Sequence, residues 1–356
     1  TTPTGAQVTV ARLVERDRRL VPEGARSPLR SPVVRAPIER GAHLLTLEAP
    51  GHAPVRLPIV IERGAHWQHQ PPDAIGPHAL PLLPKDALGA DEIYVPAGWC
   101  IVGGDALATD PMPRRRLWID GFVIERTSVT HRTWLDFLVD VQRRFGPAAV
   151  APLLPRRRDD AVGAGLGPVQ IDADGSFALG RTDDDDAIDP ETPVALIDWH
   201  AAEAFARWRA ARTGQPWRLP HDLEWEKAAR GVDGRRWPWG DRFEPTWARA
   251  LESFAGRPHP TVVGEVPEDE SPYGMRDVVG VIRNWCGSDY QREGPPGDRL
   301  IIAPASGPLR AVRGGAWCVR AALCHPAGRF ANRPDQRFRT IGVRLARAIS
   351  AGEVAG

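Results

Sequence analysis

Residues 313–347, RGGAWCVRAALCHPAGRFANRPDQRFRTIGVRLAR, bring two thiols, an imidazole, two phenyl rings and several guanidiniums into one short stretch. Trp317, Arg329, Pro334, Arg337 and Gly342 read as a rigid frame. Cys318, His325, Phe330, Phe338 and Thr340 between them follow neither a helical nor a strand period. Such a mixture makes a catalytic site, a recognition surface or an irregular core. The other chemistry-bearing residues are dispersed. Cys100, Cys286, Cys318 and Cys324 form no CxxC knuckle and are too few and too irregular for a disulfide framework, which fits a reduced, cytosolic setting. Of ten histidines only His66 and His69, in HWQH, stand close together, and they fall in a Pro-rich stretch. His131 and His200 each stand where a helical pattern begins, and a solvated or capping role is expected of both. The acidic run TDDDDAIDP, with Asp183 to Asp186 and Asp189, has the carboxylates that a hard cation takes. A solvated loop is the favoured reading of it.

These residues must be positioned by elements that the rest of the chain supplies. The 356 residues exceed one ordinary domain and suggest two. With 46 basic and 45 acidic residues the charge is balanced, so no footprint for nucleic acid or an anionic membrane exists. No apolar run approaches the ~18 residues that span a bilayer, and no signal peptide is visible. Thirty-six prolines and 35 glycines rule out a helical bundle. Beginning at Thr1, the chain reads as part of a longer protein. Twelve of the 13 tryptophans lie beyond position 90, which marks a boundary. Residues 1–65 alternate β-branched residues between Gly and Pro breaks (AQVTV, SPVVRAP, HLLTLEAPG, VRLPIVIERG) and read as a small all-β sandwich. Residues 66–90 hold five prolines and no period, and read as a linker. Residues 91–350 form the second domain. There, Thr130 caps a helix with Trp134, Phe137, Leu138 and Val141 on one face, and Asp198 opens another with Ala201, Ala204, Phe205 and Trp208, closed by Gly214.

TPTGAQVTV, SPVV and ERGAHLLTLEAPGHAPVRLPIVIERG resemble the PEGA family of β modules. The segments PVALIDWHAAEAFARWRAARTGQPWRLPHDLEWEKAARG, PWGD, SPYGMRDVVG, RGGAW and IGVRLAR, in order over about 92–348, resemble the formylglycine-generating-enzyme/sulfatase-modifying family. That resemblance implies an α+β, C-type-lectin-like fold of the formylglycine-generating-enzyme type. Domains of the family occur in formylglycine oxidases, in sulfoxide synthases, beside bacterial protein kinases and PEGA modules, and as variable proteins of diversity-generating retroelements, so fold does not settle function.

The resemblance carries specific implications for this chain. The copper oxidases hold Cu(I) between two thiolates five residues apart. Cys318 and Cys324 are six apart, a departure from that pattern. A sulfoxide synthase needs three histidines on iron, which the scattered histidines do not supply. A structural Ca²⁺ is implied at DVVGVIRN, with Asp277, Asn284 and the carbonyls of Gly280 and Ile282 as ligands. Asn284 stands where the family has Glu and Val281 where it has Asn, which leaves a weak site. In the variable proteins this segment is an Asn-rich template. Its slots correspond here to Cys318, His325, Gly328, Phe330, Ala331, Gln336, Phe338, Arg339 and Thr340, between frame residues that also include Asn332 and Asp335. The function expected is a non-catalytic ligand-recognition module in a larger, kinase-linked bacterial protein, diversified by a retroelement. It engages a protein or other macromolecule through residues 318–340, with Arg339, Phe330 and Phe338 as anchors. The rivals are a copper oxidase using Cys318 and Cys324, and a purely structural domain. Phe338 and Arg339 are expected to be mostly exposed and clustered with His325 and Phe330 on one face.

Overall fold

The computed structural model describes residues 1–25, 27–156, 167–181, 186–350 and 352–353. The first strands are β1 (Gln7–Arg16), β2 (Arg19–Glu23), β3 (Leu29–Arg30), β4 (Gly41–Glu48) and β5 (Val55–Ile61). They form one antiparallel sheet in which β1 pairs β4 along one edge and β2 and β3 along the other, while β5 follows β4. Register places Val8 opposite Leu47, Val10 opposite Leu45, and Leu57 opposite Leu45, so the alternating apolar residues share one face. Strands form in AQVTV, HLLTLEAPG and VRLPIVIERG as expected, whereas SPVVRAP forms none and β2 and β3 lie where none was expected, and the five strands make a single sheet and not the two facing sheets of a sandwich. What covers them instead is the Pro-rich stretch. Leu80, Leu82 and Leu83 are buried, and backbone bonds tie Thr2 to Leu80 and Leu82 and Ala53 to Leu83. The buried residues of the sheet belong to the same apolar cluster as Trp134 and Phe205 of the second domain.

Strands β6 (Glu92–Val95), β7 (Gly98–Val102), β8 (Arg115–Ile119) and β9 (Phe122–Glu125) open that domain. Helices α1 (His131–Phe145) and α2 (Pro147–Val150) follow, then the hairpin β10 (Val169–Ile171) and β11 (Phe177–Leu179), α3 (Trp199–Thr213), β12 (Trp217–Arg218) and α4 (Asp222–Arg230). The chain ends with β13 (Arg283–Asp289), β14 (Arg310–Arg313), β15 (Arg329–Asn332), β16 (Ile341–Gly342) and β17 (Ala346–Ala348). These strands build two four-stranded sheets, β12-β17-β9-β6 and β15-β14-β13-β16, together with the hairpins β7-β8 and β10-β11.

Both amphipathic helices form where their caps and periods place them. Thr130 accepts from Thr133 N, Asp198 accepts from Ala201 N at 2.8 Å, and Gly214 closes α3 in the left-handed region. Their apolar faces meet in a cluster of Trp134, Phe137, Phe205 and Trp208, with ring centroids 5.2–5.4 Å apart. Helix α4 is buried all round, which only paired charges permit. Glu226 accepts from Arg230 one turn on and from Arg313 of β14 at 2.7 Å, while Asp222 faces Arg313 and Arg329 at 3.4 and 3.3 Å.

Candidate ligand-binding site

The segment that opens the sequence analysis hangs from this buried frame. Arg313 ends β14 on Glu226, Arg329 opens β15 against Asp222, and Arg337 donates to Asp198 at 2.6 Å and to Leu154 O at 2.7 Å. Two glycines allow contacts that no side chain would. A Cβ on Gly315 would stand 2.3 Å from the Cys324 sulfur, and one on Gly342 would stand 2.3 Å from Val194 O.

The residues between these anchors do not form one exposed patch. Arg339 and Ala331 are exposed, and Cys318, Phe330, Gln336, Phe338 and Thr340 are half-buried. Phe330 lies under the Arg283 guanidinium at 4.0 Å, Phe338 packs on the core, and Gln336 Oε1 accepts from Arg333 N at 2.9 Å. The expected exposure of Phe338 is thus corrected, because its backbone bond from Leu196 N draws it inward. His325 and Gly328 are also corrected, both being buried. His325 donates through Nδ1 to the Asp105 carboxylate at 2.6 Å and packs on Trp237 at 4.2 Å, well integrated with the core.

Cys318 is half-buried, and both it and Cys324 lie close enough to Arg283 to act on its guanidinium. All four cysteines are free. Cys324 is wholly buried, and that burial pushes its thiol up to about 12, so it stays protonated at neutral pH. Among the described residues no group of three or more His, Cys, Asp or Glu is placed to hold a metal ion. His69 is engaged at both ring nitrogens by the carbonyls of His78 and Ala97 at 2.9 and 3.0 Å. Of the acidic run, residues 183–185 lie outside the described residues, and Asp186 pairs with Arg257.

The turn at 277–284 does not fit a calcium ion as it is built. Both Asp277 oxygens accept from Gly264 N at 3.0 and 2.9 Å. Asn284 Oδ1 accepts from Trp225 at 2.9 Å and Arg344 at 3.3 Å, and its Nδ2 donates to Ser128 at 3.0 Å, which leaves no lone pair turned to an ion. The buried Arg344 guanidinium already places a positive charge there, donating also to Glu125 O and to Arg276 O. The Gly280 and Ile282 carbonyls alone are no cage for a divalent ion.

What the tertiary structure does assemble is a cavity of about 550 Å³. Segments far apart in sequence wall it: the start of α1, Pro168 and Arg181, residues 186–196, residues 257–265, the pair Val281 and Ile282, and Trp317 with Arg339. Arg339 stacks over Trp317 at 5.5 Å, so one frame residue and one slot residue meet on the wall. Val281 holds φ at +51°, an uncommon state for a β-branched residue. Two of the residues that line it each carry a polar atom with no hydrogen-bond partner, His131 Nε2 and Thr261 Oγ1, and both atoms are shut off from solvent in side chains that are at least nine-tenths buried. A β-bridge pairs Thr130 with Pro193 and the His131 N–H donates to Thr192 O at 2.9 Å, which fixes the imidazole against Thr192. The imidazole Nδ1 then lies 3.0 Å from the same carbonyl, an obligate acceptor, so Nδ1 carries the proton and Nε2 is a bare lone pair. Burial lowers this histidine to about 4, which keeps it neutral. His131 is the residue the sequence reading missed. A histidine directly after an N-cap reads as exposed, and only the pairing with 192–194 buries it. His200, at the corresponding place on α3, is exposed.

Comparison with known proteins was made with this geometry in hand. A family model for the sulfatase-modifying factor enzyme 1-like domain matches residues 81–349. A hercynine oxygenase of Mycolicibacterium smegmatis is 32% identical over 289 residues, which cover 74% of this chain and 62% of that protein. A formylglycine-generating enzyme of Streptomyces coelicolor is 29% identical over 309 residues, covering 76% of this chain and 92% of the relative. Among solved structures, variable protein 1 of Treponema denticola superposes with a TM-score of 0.51 at 20% identity, over 72% of this chain and 94% of that one. The fold is thus the α+β, C-type-lectin-like type that the motifs implied.

Proposed function

We propose, from the premise that this chain belongs to the sulfatase-modifying factor enzyme 1-like family, that its second domain recognises a ligand and does not oxidise one. The observation that carries this reading is the cavity. Trp317 and Arg339 of the irregular segment both line it. A wall of apolar side chains with a few buried polar atoms is the usual make-up of a binding pocket. The recognition surface is therefore smaller than the span 318–340. Its core is the cavity, to which Trp317 and Arg339 contribute, and its ligand is a protein or other macromolecule. Diversification by a retroelement is a further part of this proposal, supported by the likeness to a variable protein. An adenine-rich near-copy of the codons for 313–347 beside a reverse transcriptase gene would establish it, and a downstream region without one would remove it.

The rival reading is the copper oxidase, favoured by the formylglycine-generating enzyme among the relatives. Incubation with Cu(I), oxygen and a Cys-containing sulfatase-type peptide separates the two. We expect no aldehyde product by mass spectrometry. Turnover that disappears in both Cys318→Ser and Cys324→Ser would establish the oxidase instead.

A further inference from the structure

With the cavity as the recognition site proposed above, whatever fixes its wall controls recognition. Val281, Glu265 and Trp317 of that wall are all tied to one remote residue, Arg249. The Trp317 N–H donates to Val281 O at 3.2 Å, and the Val281 N–H donates to Arg249 O at 3.0 Å. Arg249 in turn donates its own N–H to Val279 O at 3.0 Å and pairs with Glu265 at 2.7 Å. The two backbones meet so closely at Gly280, with φ at +96°, that a Cβ there would stand 1.9 Å from Arg249 O. Arg249 therefore sets where Val281 lies, and Val281 sets where Trp317 lies.

Residues 236–247 lead into Arg249 as a well-bonded turn. Trp237 and Gly240 exchange backbone bonds at 2.8 and 3.1 Å, the Arg236 N–H donates to Asp241 Oδ1 at 3.0 Å, and Trp239 Nε1 donates to Arg242 O at 2.7 Å. The buried Trp239 is stacked on Trp237 at 6.1 Å and meets Trp247 edge-on at 5.9 Å. Trp237 also packs on His325 at 4.2 Å, a second hold on the irregular segment. On this turn sits the β1–β2 hairpin of the first sheet. Its two-residue connection, Asp17 and Arg18, has φ of +48° and +69°, the left-handed pair of a tight hairpin. The Leu20 N–H donates to Trp239 O at 2.7 Å, and the hairpin lies directly over Gly240, where a Cβ would be 3.5 Å from Leu20 Cγ and 3.7 Å from Arg18 O. Arg18 pairs with Glu244 and Glu15 with Arg242, both at 3.0 Å. The two ion pairs run in opposite senses, which fixes the register of hairpin on turn.

We infer that the β1–β2 hairpin is a brace for the recognition cavity. Seated on residues 236–244 it holds Arg249, Val281 and Trp317 in place, and a partner that lifts it loosens the wall. Coupling of this kind is reciprocal, so a ligand in the cavity also steadies the hairpin. The first sheet is thereby a control element and not a passive spacer.

Hydrogen–deuterium exchange of the full chain, read by mass spectrometry, tests the brace without a ligand. Glu15→Arg with Arg18→Glu sets like charges against Arg242 and Glu244, and Leu20→Asp, a second and independent variant, sets a carboxylate over Gly240. In both we expect exchange at the hairpin and in fragments carrying the Arg249, Val281 and Trp317 amides to quicken about three- to tenfold, with α1 and α3 unchanged. Adding Arg242→Glu and Glu244→Arg to the first variant restores both pairs with their signs exchanged and should return the wild-type rates. Faster exchange confined to the hairpin would overturn the brace, since the wall would hold without it. An unchanged hairpin in both variants would overturn it too, by showing that these contacts do not seat it. Acceleration spread equally over α1 and α3 in both variants would make the hairpin part of the global fold and so overturn a local brace. The recognition reading falls separately, to turnover in the oxidase assay, which none of these exchange rates touches.

Discussion

Around Asp222 and Glu226 the domain buries carboxylates and guanidiniums against one another, so that each charge has a counter-charge within 3.4 Å. Beside the cavity it buries one imidazole nitrogen, His131 Nε2, and one hydroxyl, Thr261 Oγ1, that have no hydrogen-bond partner. Both arrangements place polar groups away from water, and the cost of doing so is met in the first by partners within the chain and left outstanding in the second. The first is how the fold holds the segment 313–347. The second is a cost that the fold carries. Residues that look equally polar in sequence therefore have opposite roles.

The largest effect expected from this contrast is on the frame. Glu226→Gln leaves the buried Arg230 without its counter-charge and Arg313 with only Asp222 at 3.4 Å, and should cost about 3–5 kcal/mol in urea unfolding. A loss below about 1 kcal/mol would mean that the network is not what holds β14 to α4.

Next in size is the pH response of His131. Its folded value is lowered to about 4 by burial, while the unfolded chain titrates near 6.5. Between these values the unfolded state binds a proton that the folded state refuses. Stability is therefore present in full above about 6.5 and is lost as pH falls to about 4, by an amount of about 3 kcal/mol. Glu125 acts in the opposite direction over nearly the same window. Burial raises it to about 7, against the charges of Arg209 and Arg344 and the hydrogen bond from Leu345 N, so its contribution falls as pH rises. The difference between wild type and His131→Gln, measured from pH 7 to 4, isolates the histidine, and the variant should lose less stability on acidification. For Asp222 burial pushes the carboxyl up, but His221, Arg313 and Arg329 outweigh it and hold it well below the usual range. Acid loss from the frame therefore begins only as unfolded carboxylates titrate, near pH 4 and below.

A smaller effect of opposite sign sharpens the comparison. Thr261→Val removes an unsatisfied hydroxyl and keeps its shape, and should leave stability unchanged or raise it by up to about 1 kcal/mol. A loss of more than that would show Oγ1 to be a structural bond and not a free one. Arg339→Ser, on the exposed rim, should lie within about 0.5 kcal/mol. The smallest expected effect is that of calcium. With Asn284 spent on Trp225, Arg344 and Ser128, the melting temperature in millimolar Ca²⁺ and in chelator should coincide, and a rise that Asp277→Ala abolishes would restore the site that the motif implied.

Much of the scaffold was legible because its signals are local. Thr130, Asp198 and Gly214 set helix ends by bonds to residues three or four positions away, and the apolar spacing of α1 and α3 is a property of each helix alone. The motifs RGGAW and IGVRLAR placed Trp317 and Gly342 in a frame, and both residues are buried. The alternation in residues 1–65 determined β1, β4 and β5 but not β2 or β3, and SPVVRAP forms no strand. It could not determine how many sheets they form, because a second sheet and the Leu80–Leu83 stretch are equivalent covers for one apolar face.

The site was less legible for the same reason. Cys318, His325, Phe330 and Phe338 have similar surroundings in sequence, yet Asp105, 220 residues away, draws His325 into the core, while Arg283 covers Phe330. His131 looked like a solvated helix start until residues 192–194 closed over it. The sequence by itself determined the helices, strands and frame, since caps, periods and glycine contacts act over short range or are tied to fixed motifs. Only the tertiary structure decided which polar atoms stay unpartnered and where they face, because satisfaction of a buried donor or acceptor depends on atoms brought together from all along the chain.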